Sequence, residues 1–147
     1  MHQDFQDLLT VFAEEQVEYL VIGGYAVSYY ARPRYTKDID LWLRDDRANL
    51  ERAVMALQRF GVPEPVLAGL QTESAEDIVW FGVAPTRVDL LRRVDGLSFD
   101  SAYARRVETD WGDVRVCVVA LPDLIAAKRA AGRPQDLRDL KALERIK

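Results

Sequence analysis

From Asp38 to Leu41 carboxylate and aliphatic side chains alternate as Asp38, Ile39, Asp40, Leu41. A period of two puts both carboxylates on one face of a strand, roughly 6.5 Å apart along the chain, with Ile39 and Leu41 on the other. The segment 38–43 must therefore be a strand with one apolar face in a core and one acidic face outside it. Carboxylates this close oppose each other's ionisation unless a cation lies between them, and hard divalent ions take such oxygen ligands. The same alternation also suits a strand whose polar face is merely solvated.

The surrounding pattern predicts an alternation of helices and strands. Phe5, Leu8, Leu9, Phe12 and Ala13 follow helical spacing, so residues 3 to 16 read as an amphipathic helix. Tyr19 to Ile22 reads as a short buried strand, Gly23 and Gly24 break it, and 25–31 reads as a helix stopped by Pro33. After the acidic strand, Asp45 and Asp46 offer N-caps to a helix with Leu50, Ala53, Val54, Leu57 and Phe60 on its apolar face, closed by Gly61. Residues 61–77 hold Pro63, Pro65 and Gly69 with little periodicity and read as a connection with one short strand at most. The runs 78–83 and 87–92, separated by Ala84, Pro85 and Thr86, predict an antiparallel hairpin. A short helix over 99–106, a last strand over 113–119, a helix over 122–131 and a final helix over 134–146 complete the reading. With neither internal repeat nor linker, residues 1–147 read as one domain.

Asp89 stands alone in the apolar run Val88 to Leu91, where an unpaired charge is expensive to bury. It is the best third carboxylate for a site with Asp38 and Asp40; otherwise it is a rim residue. Gly23-Gly24 follows a strand and opens a helix, so the backbone can approach a ligand closely and offer free N–H groups to a phosphate, although an ordinary tight turn has the same spelling. Lys128 falls four after Leu124 and three after Ile125, on the face its helix should bury. A lysine there needs an anionic partner, which either a phosphate or a protein carboxylate supplies. Arg34, just before the acidic strand, reaches either phosphate or the acids themselves. Arg133, Asp136 and Asp139 read as structural pairs near a helix start. Trp42 shares the parity of the two acids and suits either the rim of a site or simple packing.

Residue counts remove whole classes of chemistry. The only histidine is His2 and the only cysteine Cys117, so His-based triads, zinc clusters and internal disulfides are excluded, and Cys117 reads as an inert core thiol. With no apolar run near 18 residues and no apolar stretch at the start, the expected address is the cytoplasm, with no membrane partner. The net charge of -4 is uneven, because residues 128–147 carry seven Lys or Arg against three acids. A cationic element beside an acidic body suits a compact polyanion such as a nucleotide, held partly by metal.

The segment Val21-Ile22-Gly23-Gly24 followed by Arg34-Tyr35-Thr36-Lys37-Asp38-Ile39-Asp40-Leu41, with Val88-Asp89-Leu90 as a later carboxylate strand, resembles the signature of the polymerase-beta-like nucleotidyltransferase superfamily. The Arg-x-Thr-x-Asp-x-Asp spelling and the tail from Leu121 through Lys128, Gly132 and Arg133 to Asp139 resemble its small bacterial branch, which includes lincosamide-type antibiotic nucleotidyltransferases and abortive-infection toxins. The resemblance implies an α+β nucleotidyltransferase fold, a mixed β-sheet flanked by helices with C-terminal helices. It implies that Asp38, Asp40 and Asp89 are catalytic and hold Mg²⁺ or Mn²⁺, and that Gly23 and Gly24 cradle the NTP, to which the residue reading adds Arg34 and Lys128 as candidate phosphate contacts. The reaction implied is transfer of a nucleoside monophosphate to an acceptor hydroxyl with release of pyrophosphate.

The acceptor is open among a small molecule, a tRNA and a protein, the last two as a toxin–antitoxin component would use. A catalytically silent binding or regulatory subunit of the same fold also fits the motifs. A tRNA acceptor would need a wider basic surface than the tail, which Arg92, Arg93, Arg105 and Arg106 could supply if folding gathers them there. Because the sheet and its helices use nearly all residues, a homodimer or a partner protein is expected to complete the acceptor wall. Neutralising the clustered acids is expected to stabilise the metal-free protein.

Overall fold

The apolar stripe Phe5, Leu8, Leu9 and Phe12 is buried along α1 (Gln3–Glu14), which ends two residues before Gln16 takes a positive φ of 59°. The computed structural model describes residues 1–72, 74 and 78–146. All four residues of β1 (Tyr19–Ile22) are buried, and α2 (Gly23–Tyr30) follows with no intervening loop. The acidic strand is β2 (Asp38–Leu43), with Ile39 and Leu41 fully buried as their parity requires. Asp46 caps α3 (Arg47–Phe60) by accepting the Asn49 backbone N–H at 2.7 Å, and Gly61 closes it at φ 95°. Asp45 instead pairs with Arg92 at 2.8 Å.

Residues 61–77 depart from their reading as a connection. A helix, α4 (Glu64–Leu70), forms there because Pro63 and Pro65 sit at its first turn, where proline is tolerated, and Leu67 and Leu70 are buried. The expected short strand finds no place in that helix, and residues 73 and 75–77 of the expected connection lie outside the described residues. The hairpin forms as expected from β3 (Val79–Phe81) and β4 (Arg87–Leu91). After α5 (Phe99–Ala104), the expected last strand is joined by another that the sequence reading lacked. These are β5 (Val107–Trp111) and β6 (Val114–Val118), an antiparallel pair turning at Gly112, whose φ is 67°. The chain ends in α6 (Leu121–Ala131) and α7 (Pro134–Glu144).

The strands make one mixed sheet in the order β3-β4-β2-β1-β6-β5. β1 pairs antiparallel with β2 and parallel with β6, while β2 pairs parallel with β4. Tyr19 and Phe81, on the face opposite the two acids, meet Phe12 of α1 and Phe60 of α3. The other face receives α2, α6 and α7, which pack on one another beside β1 and β2. Helices thus flank both faces, giving the α+β class with C-terminal helices. Trp42, on the acidic face, is buried edge-on against Phe99 at 5.1 Å, so it packs the core rather than rimming a site.

Candidate active site

The second strand delivers Asp38 and Asp40 to one face, and the fourth brings Asp89 beside them. Because β2 and β4 run parallel in the register Asp40 to Asp89 and Asp38 to Arg87, a residue 49 positions downstream becomes a lateral neighbour. One carboxylate oxygen from each of Asp38, Asp40 and Asp89 lies within 4.8 Å of the others. They open into a cleft of about 920 Å³ whose walls also include Gly23, Gly24, Arg34 and Lys128. Every nucleotide- or metal-binding residue expected from the sequence therefore faces one cavity.

The glycines are constrained by the side chains they touch. Gly23 has φ 70°, and a Cβ on it would fall on the Asp40 carboxylate. A Cβ on Gly24 would strike Thr36, two residues before the strand. Only a bare backbone lets the start of α2 lie against β2, and among the described residues no side chain caps that helix start. Both glycines line the cleft, and a helix start of this kind suits an anion.

The charges divide the cleft. At the acidic end, burial and then the charges of Asp38 and Asp89 push the Asp40 carboxyl up to about 7, against the opposing pull of Lys128. Burial followed by Asp89 raises Asp38 as well. At the other end, Lys128 lies 3.1 Å from Asp136 and 3.0 Å from Asp139, while Arg133 reaches Asp136 at 2.8 Å and Arg34 reaches Asp139 at 2.6 Å. Burial alone would raise Asp136, but its hydrogen bonds to Arg133 and Lys128 prevail and hold its carboxyl below the usual range. Three cations against two carboxylates leave this wall positive. Both readings of Lys128 meet here, since the ammonium has carboxylate partners and still lines the cleft.

Two neighbours of the triad were not singled out from the sequence. Arg87, two before Asp89 and so on the same face, gives its Nε to Asp89 at 2.8 Å, and its guanidinium lies 4.3 Å from the centre of the Trp80 ring. The parity of the hairpin carried that signal, because Trp80 is in register with Asp89. Of the arginines considered for a wider basic surface, Arg92 is engaged by Asp45 and Arg105 by Asp123, Arg93 lines the cleft, and Arg106 lies over Tyr103. Cys117 is half-buried, and burial pushes its thiol up.

Three hard oxygen donors that repel one another suit a divalent cation, whose charge would relieve the strain that raises Asp38 and Asp40. The residues present thus fit a metal of the Mg²⁺ type. Among the described residues no helix is long and apolar enough to cross a membrane. A family model described as a nucleotidyltransferase of unknown function (DUF6036) matches residues 2–147. No curated protein matches the chain.

Proposed function

The chain belongs to this nucleotidyltransferase family, and we propose that it transfers a nucleoside monophosphate from an NTP to an acceptor hydroxyl, releasing pyrophosphate. The observation that carries this reading is the convergence of Asp38, Asp40 and Asp89 within 4.8 Å in a cleft whose opposite wall is cationic. Asp38, Asp40 and Asp89 would hold Mg²⁺ or Mn²⁺, which supplies charge neutralisation at the transferring phosphorus when bound.

The protein's own groups supply the rest. The open helix start at Gly23 and Gly24 gives backbone N–H donors to the polyphosphate. Lys128 and Arg34, held by Asp136 and Asp139, present fixed positive charge to the leaving pyrophosphate, so little reorganisation is needed as negative charge develops there. Asp89 stands on the side away from that wall and accepts the proton of the incoming hydroxyl. The arrangement positions and stabilises, which is most of what phosphoryl transfer asks of a protein.

The motifs from Arg34 to Asp40 and from Leu121 to Lys128 support a place in the small bacterial branch with antibiotic-modifying enzymes and toxins, so small molecules, tRNA and protein are the acceptors to screen. The test is calorimetry of NTP binding with Mg²⁺ and in EDTA, followed by mass spectrometry of incubations with each NTP and a cell extract. Metal-dependent binding that Asp38→Asn abolishes, together with a nucleotidylated product, is the expected result. Absence of metal-dependent binding by the unsubstituted protein would refute the reading.

A further inference from the structure

Transfer at phosphorus places the entering and leaving oxygens roughly in line. If the pyrophosphate lies against Gly23, Gly24, Arg34 and Lys128, beside β1 and α6, the acceptor must approach across the carboxylates from the β4 and β3 side. On that side Ile78, Leu91 and Arg93 line the cleft; next to them stand Arg87, bound to Asp89, and Trp80, in the adjoining groove that shares Ile78. Trp80 pairs in register with Asp89, so its indole shares the carboxylate's face one strand spacing away, about 4.8 Å.

The exposure of this indole is not explained by packing. Its neighbours of opposite parity, Val79 and Phe81, provide the inward contacts of β3, Phe81 against Phe60. Trp80 itself is 51% exposed. The Arg87 guanidinium lies 4.3 Å from the ring centre while its Nε is tied to Asp89. A rigid pair of flat surfaces, indole and guanidinium, is thereby anchored to one of the three carboxylates. Such surfaces attract the π-face of another ring and offer little to an aliphatic polyol.

We propose that Trp80, steadied by Arg87, is the specificity-determining surface of the acceptor subsite, and that the acceptor carries its hydroxyl beside a flat aromatic ring of the nucleobase kind. This rests on the transfer reading above, and it assigns to Trp80 a positioning role with no part in proton transfer. Removing the indole then weakens a flat-ringed acceptor and spares the NTP, whose polyphosphate is held on the opposite wall.

The experiment saturates the donor site with Mg²⁺ and an ATP analogue bearing a methylene bridge between the α and β phosphorus, then titrates adenosine or ribose by calorimetry. Adenosine should bind the unsubstituted protein and ribose should not. Trp80→Ala should weaken adenosine by about tenfold, the lower-middle range for loss of one stacked base, and Trp80→Phe should restore most of it. Affinity for the ATP analogue should stay within about twofold in both variants. Failure of adenosine to bind, binding indifferent to Trp80→Ala, equal binding of ribose, or a loss confined to the ATP analogue would each overturn the assignment. If the unsubstituted protein shows no Mg²⁺-dependent binding of the analogue, the transfer reading itself fails, and this one with it.

Discussion

Asp40→Asn should raise the melting temperature of the metal-free protein at pH 8. The Asp40 carboxyl stands at about 7 in the fold, against about 3.9 in an unfolded chain. Roughly three pH units at about 1.36 kcal/mol each set a ceiling near 4 kcal/mol for the cost of ionising it in place. Burial sets the largest part of that cost, the three acids share the repulsive part and cleft water screens it, so about 1 to 3 kcal/mol is the expected gain on neutralisation. For a chain of this size this corresponds to roughly 3 to 10 °C. Because the folded value lies above the unfolded one, the folded protein keeps a proton between about pH 4 and 7 that the unfolded chain has lost. Stability therefore falls as pH rises through that window, and the penalty is complete above it. The variant lacks this slope, so the gap between the two proteins should close toward pH 4. Melts of both proteins in EDTA at pH 4, 6 and 8 measure it, and a repeat with Mg²⁺ at pH 8 should stabilise only the unsubstituted protein. A variant less stable than its parent at pH 8 would refute the reasoning, because Asp40 would then be a structural acceptor rather than a strained anion. Asp89→Asn is a sharper contrast than the sequence suggests. Its carboxylate already has Arg87 at 2.8 Å, so the gain there should be smaller or absent.

Gly23→Ala should cost about 1 to 3 kcal/mol and abolish metal-dependent nucleotide binding, since its φ of 70° and its contact with Asp40 both oppose a side chain. Gly61→Ala, at φ 95° with open space around it, should cost about 1 kcal/mol by urea melt and leave binding intact; equal binding loss in both would sink the distinction. Lys128→Met should destabilise by about 2 to 3 kcal/mol, less than a fully orphaned buried charge because Asp136 keeps Arg133 and Asp139 keeps Arg34. A loss below about 1 kcal/mol in urea would show that the ammonium is not needed by those acids. Light scattering at micromolar concentration should find a two-fold dimer that completes the acceptor wall, and a strict monomer that still modifies an acceptor would contradict it.

Local periodicity was enough for much of this protein. Asp38 and Asp40 share a face because side chains alternate along any strand, and Ile39 and Leu41 must then be buried. The Gly23-Gly24 break, the Asp46 cap and the Gly61 stop were legible for the same reason, each being a conformational requirement met within a few residues. The hairpin of β3 and β4 was visible in its two apolar runs. The helix α4 was not, because seven residues with one proline among them and another just before carry too few turns to display a period, and its existence depends on burying Leu67 and Leu70. The strand β5 was likewise too polar in its alternation to declare itself without β6 beside it.

The tertiary structure decided the electrostatics. Parallel pairing of β2 with β4 sets Asp89 beside Asp40 across 49 residues, and only that registry makes three separate acids into one strained cluster. The same pairing placed Arg87 at its edge, and the hairpin of β3 with β4 added Trp80. Lys128 could be read from sequence as needing an anion, but whether protein or ligand supplies it depended on where α7 carries Asp136 and Asp139. Backbone preference acts between neighbours in the chain and can be read along it, whereas Coulomb interactions depend on distances in space that folding alone creates.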